Sequence, residues 1–218
     1  MLKERIVEIH KEINSQANLV VAVKYANEEQ IKEIIDSGVD IGFNTFQQFE
    51  EVSGKNDLSK IKVHFIGRIQ TNKIGKIVRF KPYLIQSVSS FEIANRINSV
   101  CSELNVKQRI LLQLNTDSEK IEGFDIDDFE NEIIKMRNLG NIEICGLMTI
   151  PPEKEKIGEE KLREIYKKMK SEYDRIPANL GLNFKFLSMG MSEDYLIAIA
   201  EGANIVRVGR KIFQNEHI

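Results

Sequence analysis

The sequence predicts an α/β protein: a (β/α)8 TIM barrel with an extra N-terminal helix, folded as one domain over residues 1–218. Three observations lead there. Short apolar, β-branched runs alternate with longer amphipathic stretches from one end of the chain to the other. Eight such units can be marked, enough to close a barrel. No Gly-x-Gly-x-x-Gly follows the first run, so a doubly wound dinucleotide-binding sheet loses support.

In chain order, residues 1–14 form the extra helix. Residues 19–23 (LVVAV) read as the first buried parallel strand. Residues 27–37 are its helix, with Ile31, Ile34 and Ile35 on one face and Gly38 placed to end it. Residues 39–43 are the second strand, with a helix from Thr45. Residues 61–66 are the third, with a helix from Thr71. The fourth strand, 84–87, is followed by a helix over 91–103, and the fifth, 109–114, by a helix over 126–139. The sixth, 142–147, leads through a loop at 150–158 into a charged helix over 158–173. The seventh is 184–187, with a helix over 192–201, and the eighth, 205–208, runs on into Ile212 and Phe213. Nothing reads as an interdomain linker or a repeat.

Hydrophobic residues make up 42% and charged residues 29%, enough to bury a core and keep a polar surface. The 31 basic and 33 acidic residues nearly cancel, leaving no electrostatic footprint for nucleic acid or an anionic membrane. The charged N-terminus has no signal-type apolar segment, and no apolar run approaches the roughly 20 residues that span a bilayer. A cytoplasmic protein is expected. The two cysteines, Cys101 and Cys145, fit a reducing compartment and are expected to be small buried hydrophobes. His10, His64 and His217 lack ligand spacing, so no metal is expected, and His64 on an apolar strand reads as a satisfied core residue.

Barrels carry their chemistry at the C-terminal ends of the strands. Lys24 follows LVVAV directly, where it would point into the barrel mouth near apolar walls. Desolvation there would favour the neutral, nucleophilic amine. The alternative is a lysine snorkelling to solvent. After the seventh strand comes Ser188-Met-Gly-Met-Ser192, with Ser192 as a natural N-cap and Gly190 allowing close approach of a ligand. After the eighth comes Arg207-Val-Gly-Arg210. Barrels often bind phosphate between these two loops, on backbone N–H groups. Plain capping and turn chemistry is the other reading of each motif. Glu193 and Asp194 would have to point away from such a phosphate. Asn44 follows the second strand.

A reactive lysine after strand one and a phosphate cradle after strands seven and eight describe a barrel that holds pyridoxal 5′-phosphate (PLP). On residues 21–24 (VAVK), 42–48 (GFNTFQQ), 64–73 (HFIGRIQTNK), 112–116 (LQLNT), 146–152 (GLMTIPP), 187–194 (LSMGMSED) and 206–213 (VRVGRKIF), the chain resembles the pyridoxal phosphate homeostasis protein family. That family is similar to the N-terminal barrel of alanine racemase. The resemblance implies that Lys24 carries PLP as a Schiff base. It implies that Ser192, Gly209 and Arg210 hold the phosphate, that Arg207 faces the pyridine nitrogen and that Asn44 lies near the ring. It also implies a non-catalytic role in vitamin B6 and amino-acid homeostasis. The chain departs from the family pattern at Val23-Lys24-Tyr25, at Phe43 and Thr45, and at Arg68.

Three functions remain to be separated: a PLP-binding regulator, a PLP-dependent racemase, and a Schiff-base lyase acting on a sugar phosphate without PLP. Two-sided racemisation needs an acid/base group on each face of the substrate. In alanine racemase one is a tyrosine from a C-terminal β-domain, and the sequence stops at Ile218 without a counterpart. The expectation is therefore a monomeric PLP binder whose partners are small molecules, PLP and amino acids.

Overall fold

Eight strands pair in parallel, each with the next in sequence, and the last returns to the first, so the sheet closes into a barrel. The structure is a computed structural model and describes residues 2–117, 119 and 122–213. The strands are β1 (Asn18–Ala22), β2 (Asp40–Phe43), β3 (Val63–Phe65), β4 (Leu84–Val88), β5 (Gln108–Gln113), β6 (Ile142–Met148), β7 (Phe186–Ser188) and β8 (Ile205–Val208). β1 lies between β2 and β8, with Val20 level with both Asp40 and Arg207.

The helices are α1 (Leu2–Ile13), α2 (Glu28–Ser37), α3 (Phe46–Lys55), α4 (Ile74–Arg79), α5 (Phe91–Glu103), α6 (Phe129–Met136), α7 (Lys154–Leu180), α8 (Tyr195–Ala200) and α9 (Arg210–Phe213). Local signals set several of their ends. Asn27 and Gln30 form a reciprocal capping box at the start of α2, and Gly38, left-handed at φ 75°, ends it. The Thr45 hydroxyl caps α3, and Ser90 caps α5.

Side chains alternate across each strand. Val21, Ile41, Ile85, Leu112, Leu147 and Val206 face outward and join the helices in the main core. Val20, Leu84, Leu111, Cys145, Met148 and Ile205 form a smaller apolar cluster inside the barrel. Both cysteines are buried free thiols, as expected. Burial pushes Cys101 up to about 11 and Cys145 up to about 12.

The structure corrects several boundaries. β1 stops at Ala22, because residues Val23–Tyr25 turn into one turn of 3-10 helix. The segment expected as a loop over 150–158 already turns helical at Lys154. Gly158, at φ 78° and ψ 161°, interrupts α7 where the regular helix was expected to start. Ile212 and Phe213 do not extend β8: their N–H groups turn back to the Gly209 carbonyl, at 2.9 and 3.2 Å, and form α9. Among the described residues no helix is long and apolar enough to cross a membrane. His217 lies outside the described residues.

Candidate functional site at the C-terminal face of the barrel

The loops after β7 and β8 meet through Ser192. Its hydroxyl oxygen accepts the backbone N–H groups of Gly209 and Lys211, both at 3.3 Å. Ser192 was expected to cap the next helix, but that helix starts later, and Asp194 occupies the cap position of α8. Asp194 also holds the turn, accepting the Met191 N–H at 2.6 Å. The Ser192 hydroxyl is thereby released from local capping and bridges to the neighbouring strand. Glu193 is exposed, and the buried Asp194 carboxylate is hydrogen-bonded within its own loop.

Two glycines let these loops approach. Gly190 has φ 91°, and its carbonyl accepts the Arg207 N–H at 3.0 Å. Gly209 lies against β1: a Cβ there would sit 2.8 Å from the Ala22 carbonyl oxygen. This contact brings the β8–α9 junction to the end of β1, two residues before Lys24. The Arg210 side chain is exposed, at the first position of α9.

Lys24 sits in the 3-10 turn after β1, with its ammonium 5.2 Å from the centre of the Tyr25 ring. It is exposed. The expected burial against apolar walls is therefore not found: the strand ends before the lysine, which lies exposed in the turn.

Arg207 points inward from β8 and is 4% exposed. Its Nη1 donates to Ser188 Oγ at 2.6 Å and its Nη2 to the Thr149 carbonyl at 2.8 Å. Burial lowers the guanidinium to about 10, opposed by the negative charge that Asp194, and Tyr166 when ionised, would carry. Burial also raises the Tyr166 hydroxyl and the Asp194 carboxyl above their ordinary ranges. Sequence reading missed Ser188 and Thr149 as partners of this arginine, and Gln86, which meets Ser188. Ser188 and Thr149 lie in the motif segments 188–192 and 146–152 and Gln86 in none, but no segment tells which residue of another strand its side chain meets.

Asn44, just past β2, has a side-chain oxygen shielded from water with no hydrogen-bond partner. Such a buried orphan acceptor is costly unless something donates to it. A Cβ on Gly67 would overlap the Asn44 carbonyl, so glycine is needed where these loops touch. Of the departures from the family pattern, Phe43 faces α3, stacked on Phe49 with ring centres 4.9 Å apart. Thr45 caps that helix. Arg68 is exposed and pairs with Glu122 at 2.9 Å, beside a cavity of about 480 Å³ lined by Asn44, Gln70 and Lys73. A larger cavity, about 740 Å³, lies at the opposite end of the barrel around Tyr83, Lys107 and Arg109.

These residues offer polar groups that suit an anionic ligand. Ser192 and the Gly209 and Lys211 N–H groups offer donors for a phosphate. Arg207 offers a donor at the wall, and the orphan oxygen of Asn44 an acceptor.

Comparison with known proteins identifies the family. Residues 59–215 match the family model described as alanine racemase, N-terminal domain, a span that begins after Lys24 and Asn44. The chain is 34% identical over 200 residues to the pyridoxal phosphate homeostasis protein of Aquifex aeolicus, covering 90% of this chain and 86% of that one. It is 36% identical over 154 residues to the protein of the same name from Synechocystis, covering 70% and 69%. PipY of Synechococcus elongatus, solved with PLP bound, superposes with a TM-score of 0.89 at 26% identity, covering 98% of this chain and 100% of that chain. An alanine racemase from Clostridium difficile, 18% identical, shares the fold with a TM-score of 0.80, and the match covers 100% of this chain and 56% of that one. By fold, extent and identity together, this chain belongs to the pyridoxal phosphate homeostasis protein family.

Proposed function

We propose that this chain binds pyridoxal 5′-phosphate at the C-terminal face of its barrel and serves PLP homeostasis as a binding protein, acting as a cytoplasmic monomer. The observation that carries the reading is the convergence of the Ser192 hydroxyl with the Gly209 and Lys211 N–H groups at the start of α9. Barrels commonly receive a phosphate there. In this reading Ser192, Gly209 and Arg210 hold the phosphate, Asn44 lies beside the ring, and Lys24 forms the Schiff base with the aldehyde. When bound, the cofactor supplies an electrophilic carbon and an electron-withdrawing ring.

Arg207 faces the ring nitrogen. A guanidinium only donates hydrogen bonds, and even lowered to about 10 it stays protonated at neutral pH. The ring nitrogen is then held as an acceptor, without a proton. That weakens the ring's pull on electrons and favours binding over turnover of amino acids. Lys24, lying in a solvent-exposed turn, can exchange its partner without opening the core.

The test is to reduce the PLP-loaded protein with borohydride, digest it and map the pyridoxyl group. Lys24 is expected to carry it, and a label on Lys73 or Lys211 would overturn the assignment. The loaded protein is then incubated with L-alanine in deuterium oxide, with Cα–H exchange and chirality followed. Slow exchange is expected, and turnover near a typical enzymatic rate of ~10 s⁻¹ would favour a racemase.

A further inference from the structure

Arg207 carries a buried charge, and among the described residues its side-chain hydrogen bonds go to a hydroxyl and a carbonyl rather than a carboxylate. A buried cation is costly unless its field is met elsewhere. The nearby Asp194 charge meets part of it, and a chain of hydrogen bonds leads across the barrel to a second carboxylate. Arg207 Nη1 donates to Ser188 Oγ at 2.6 Å. The Ser188 hydroxyl donates to Gln86 Oε1 at 2.7 Å. Gln86 Nε2 then lies 2.8 Å from His64 Nδ1, and His64 Nε2 lies 3.4 Å from Asp40 Oδ2. Asp40 opens β2 and keeps 18% of its side chain exposed, so the chain of groups ends in water at the N-terminal face.

The direction of every bond is forced from both ends. A guanidinium can only donate, and an ionised carboxylate can only accept. Ser188 therefore passes its proton toward Gln86, and the Gln86 amide presents its oxygen to Ser188 and its nitrogen to His64. His64 must accept at Nδ1 and carry its hydrogen on Nε2. Ser188, Gln86 and His64 are 0–1% exposed, so water does not compete for these bonds. A second branch leaves the other side of the guanidinium. Thr149, whose carbonyl accepts Nη2, donates its hydroxyl to the Leu114 carbonyl at 3.0 Å and meets the Thr116 hydroxyl at 2.7 Å.

We propose that Ser188, Gln86 and His64 are positioning residues that fix the orientation of the Arg207 guanidinium through a one-way chain of hydrogen bonds anchored on the Asp40 carboxylate. The chain acts across the barrel and leaves the rest of the guanidinium directed at the group it faces. Its consequence for the cofactor rests on the reading that Arg207 meets the ring nitrogen. Hydrogen-bonded units of this kind polarise one another, so removing a distant member loosens the arginine.

The experiment has two arms. In the protein without cofactor, ¹⁵N NMR of the histidine side chains is expected to show His64 as the Nε2–H tautomer, with slowly exchanging Arg207 side-chain protons. In Gln86→Leu those protons are expected to exchange at least tenfold faster. An Nδ1–H tautomer, or unchanged exchange, overturns the proposal whether or not PLP binds. In the loaded protein, Ser188→Ala and His64→Leu are expected to shift the absorption band of bound PLP and weaken binding about tenfold, the loss that follows one charge-assisted hydrogen bond. His64→Asn keeps an acceptor near the place of Nδ1 and is expected to restore the band. If the NMR arm holds and the band is unmoved in a folded Ser188→Ala protein, Arg207 is positioned but does not face the ring, and the cofactor geometry fails instead. A band and affinity in His64→Leu equal to those of His64→Asn and of the unchanged protein would reduce the chain to core filling and sink the proposal.

Discussion

Gly209→Ala tests the junction of β1 with the loop that follows β8. A Cβ at this position would lie 2.8 Å from the Ala22 carbonyl oxygen and 3.3 Å from the Ala22 Cβ. Ordinary contact begins near 3.4 Å, so the two backbones must part by about 0.6 Å. Both belong to the closed sheet, through the β1–β8 ladder that pairs Val21 with Val208. Overpacking of this sort typically costs ~1–3 kcal/mol. For a domain of this size that is a fall in Tm of about 2–12 °C, measured by differential scanning fluorimetry. The displacement also carries the Gly209 N–H away from Ser192, so PLP affinity should fall about tenfold or more in a fluorescence titration. The control is Gly54→Ala, in the last turn of α3, where a Cβ meets nothing within 4 Å. It should not lower stability, with a gain of at most ~1 kcal/mol, and should leave PLP affinity alone. If Gly209→Ala matched wild type in both measurements, the close approach of β1 to the β8 loop would carry neither stability nor binding.

Pyridoxal without its phosphate should bind at least tenfold more weakly than PLP, and equal affinities by titration would place the cradle elsewhere. Native Cys101 and Cys145, held neutral up to about 11 and about 12, should react with a thiol reagent at pH 8 at least roughly a hundredfold more slowly than in urea. The same shifts make stability fall as pH rises above about 9, because the unfolded thiols ionise there and the folded ones do not, which urea titrations at pH 8 and 10 would read. Asn27→Ala removes the side-chain oxygen that accepts the Gln30 N–H at the start of α2 and should cost about 1 kcal/mol, with a change below 0.3 kcal/mol counting against a structural role for the cap.

The sequence by itself determined the barrel, because strand and helix periods are local properties of the chain. The phase of α2 and its two ends are written in Asn27, Gln30, Ile31, Ile34 and Gly38. The buried parallel strands announce themselves as apolar runs because both of their faces are covered. The candidate loops at Ser188–Ser192 and Arg207–Arg210 were legible too, since a barrel fixes where its strands end. His64 read as a satisfied core residue, and its ring is hydrogen-bonded in the core.

Tertiary structure decided what those residues touch. Ser192 looks like a cap in sequence, but Asp194 holds its turn, and the nearest donors to its hydroxyl come from Gly209 and Lys211 on another loop. Lys24 looks desolvated after an apolar run, yet the 3-10 turn exposes it. Phe43 looks like a change in the pocket, yet strand alternation turns it toward Phe49. Gln86 and Ser188 are 102 residues apart and meet only because closing the sheet brings β4 and β7 across one interior. A pattern in sequence records which face of an element is buried. It does not record which buried polar groups meet inside the barrel, because those pairings exist only once all eight strands have closed.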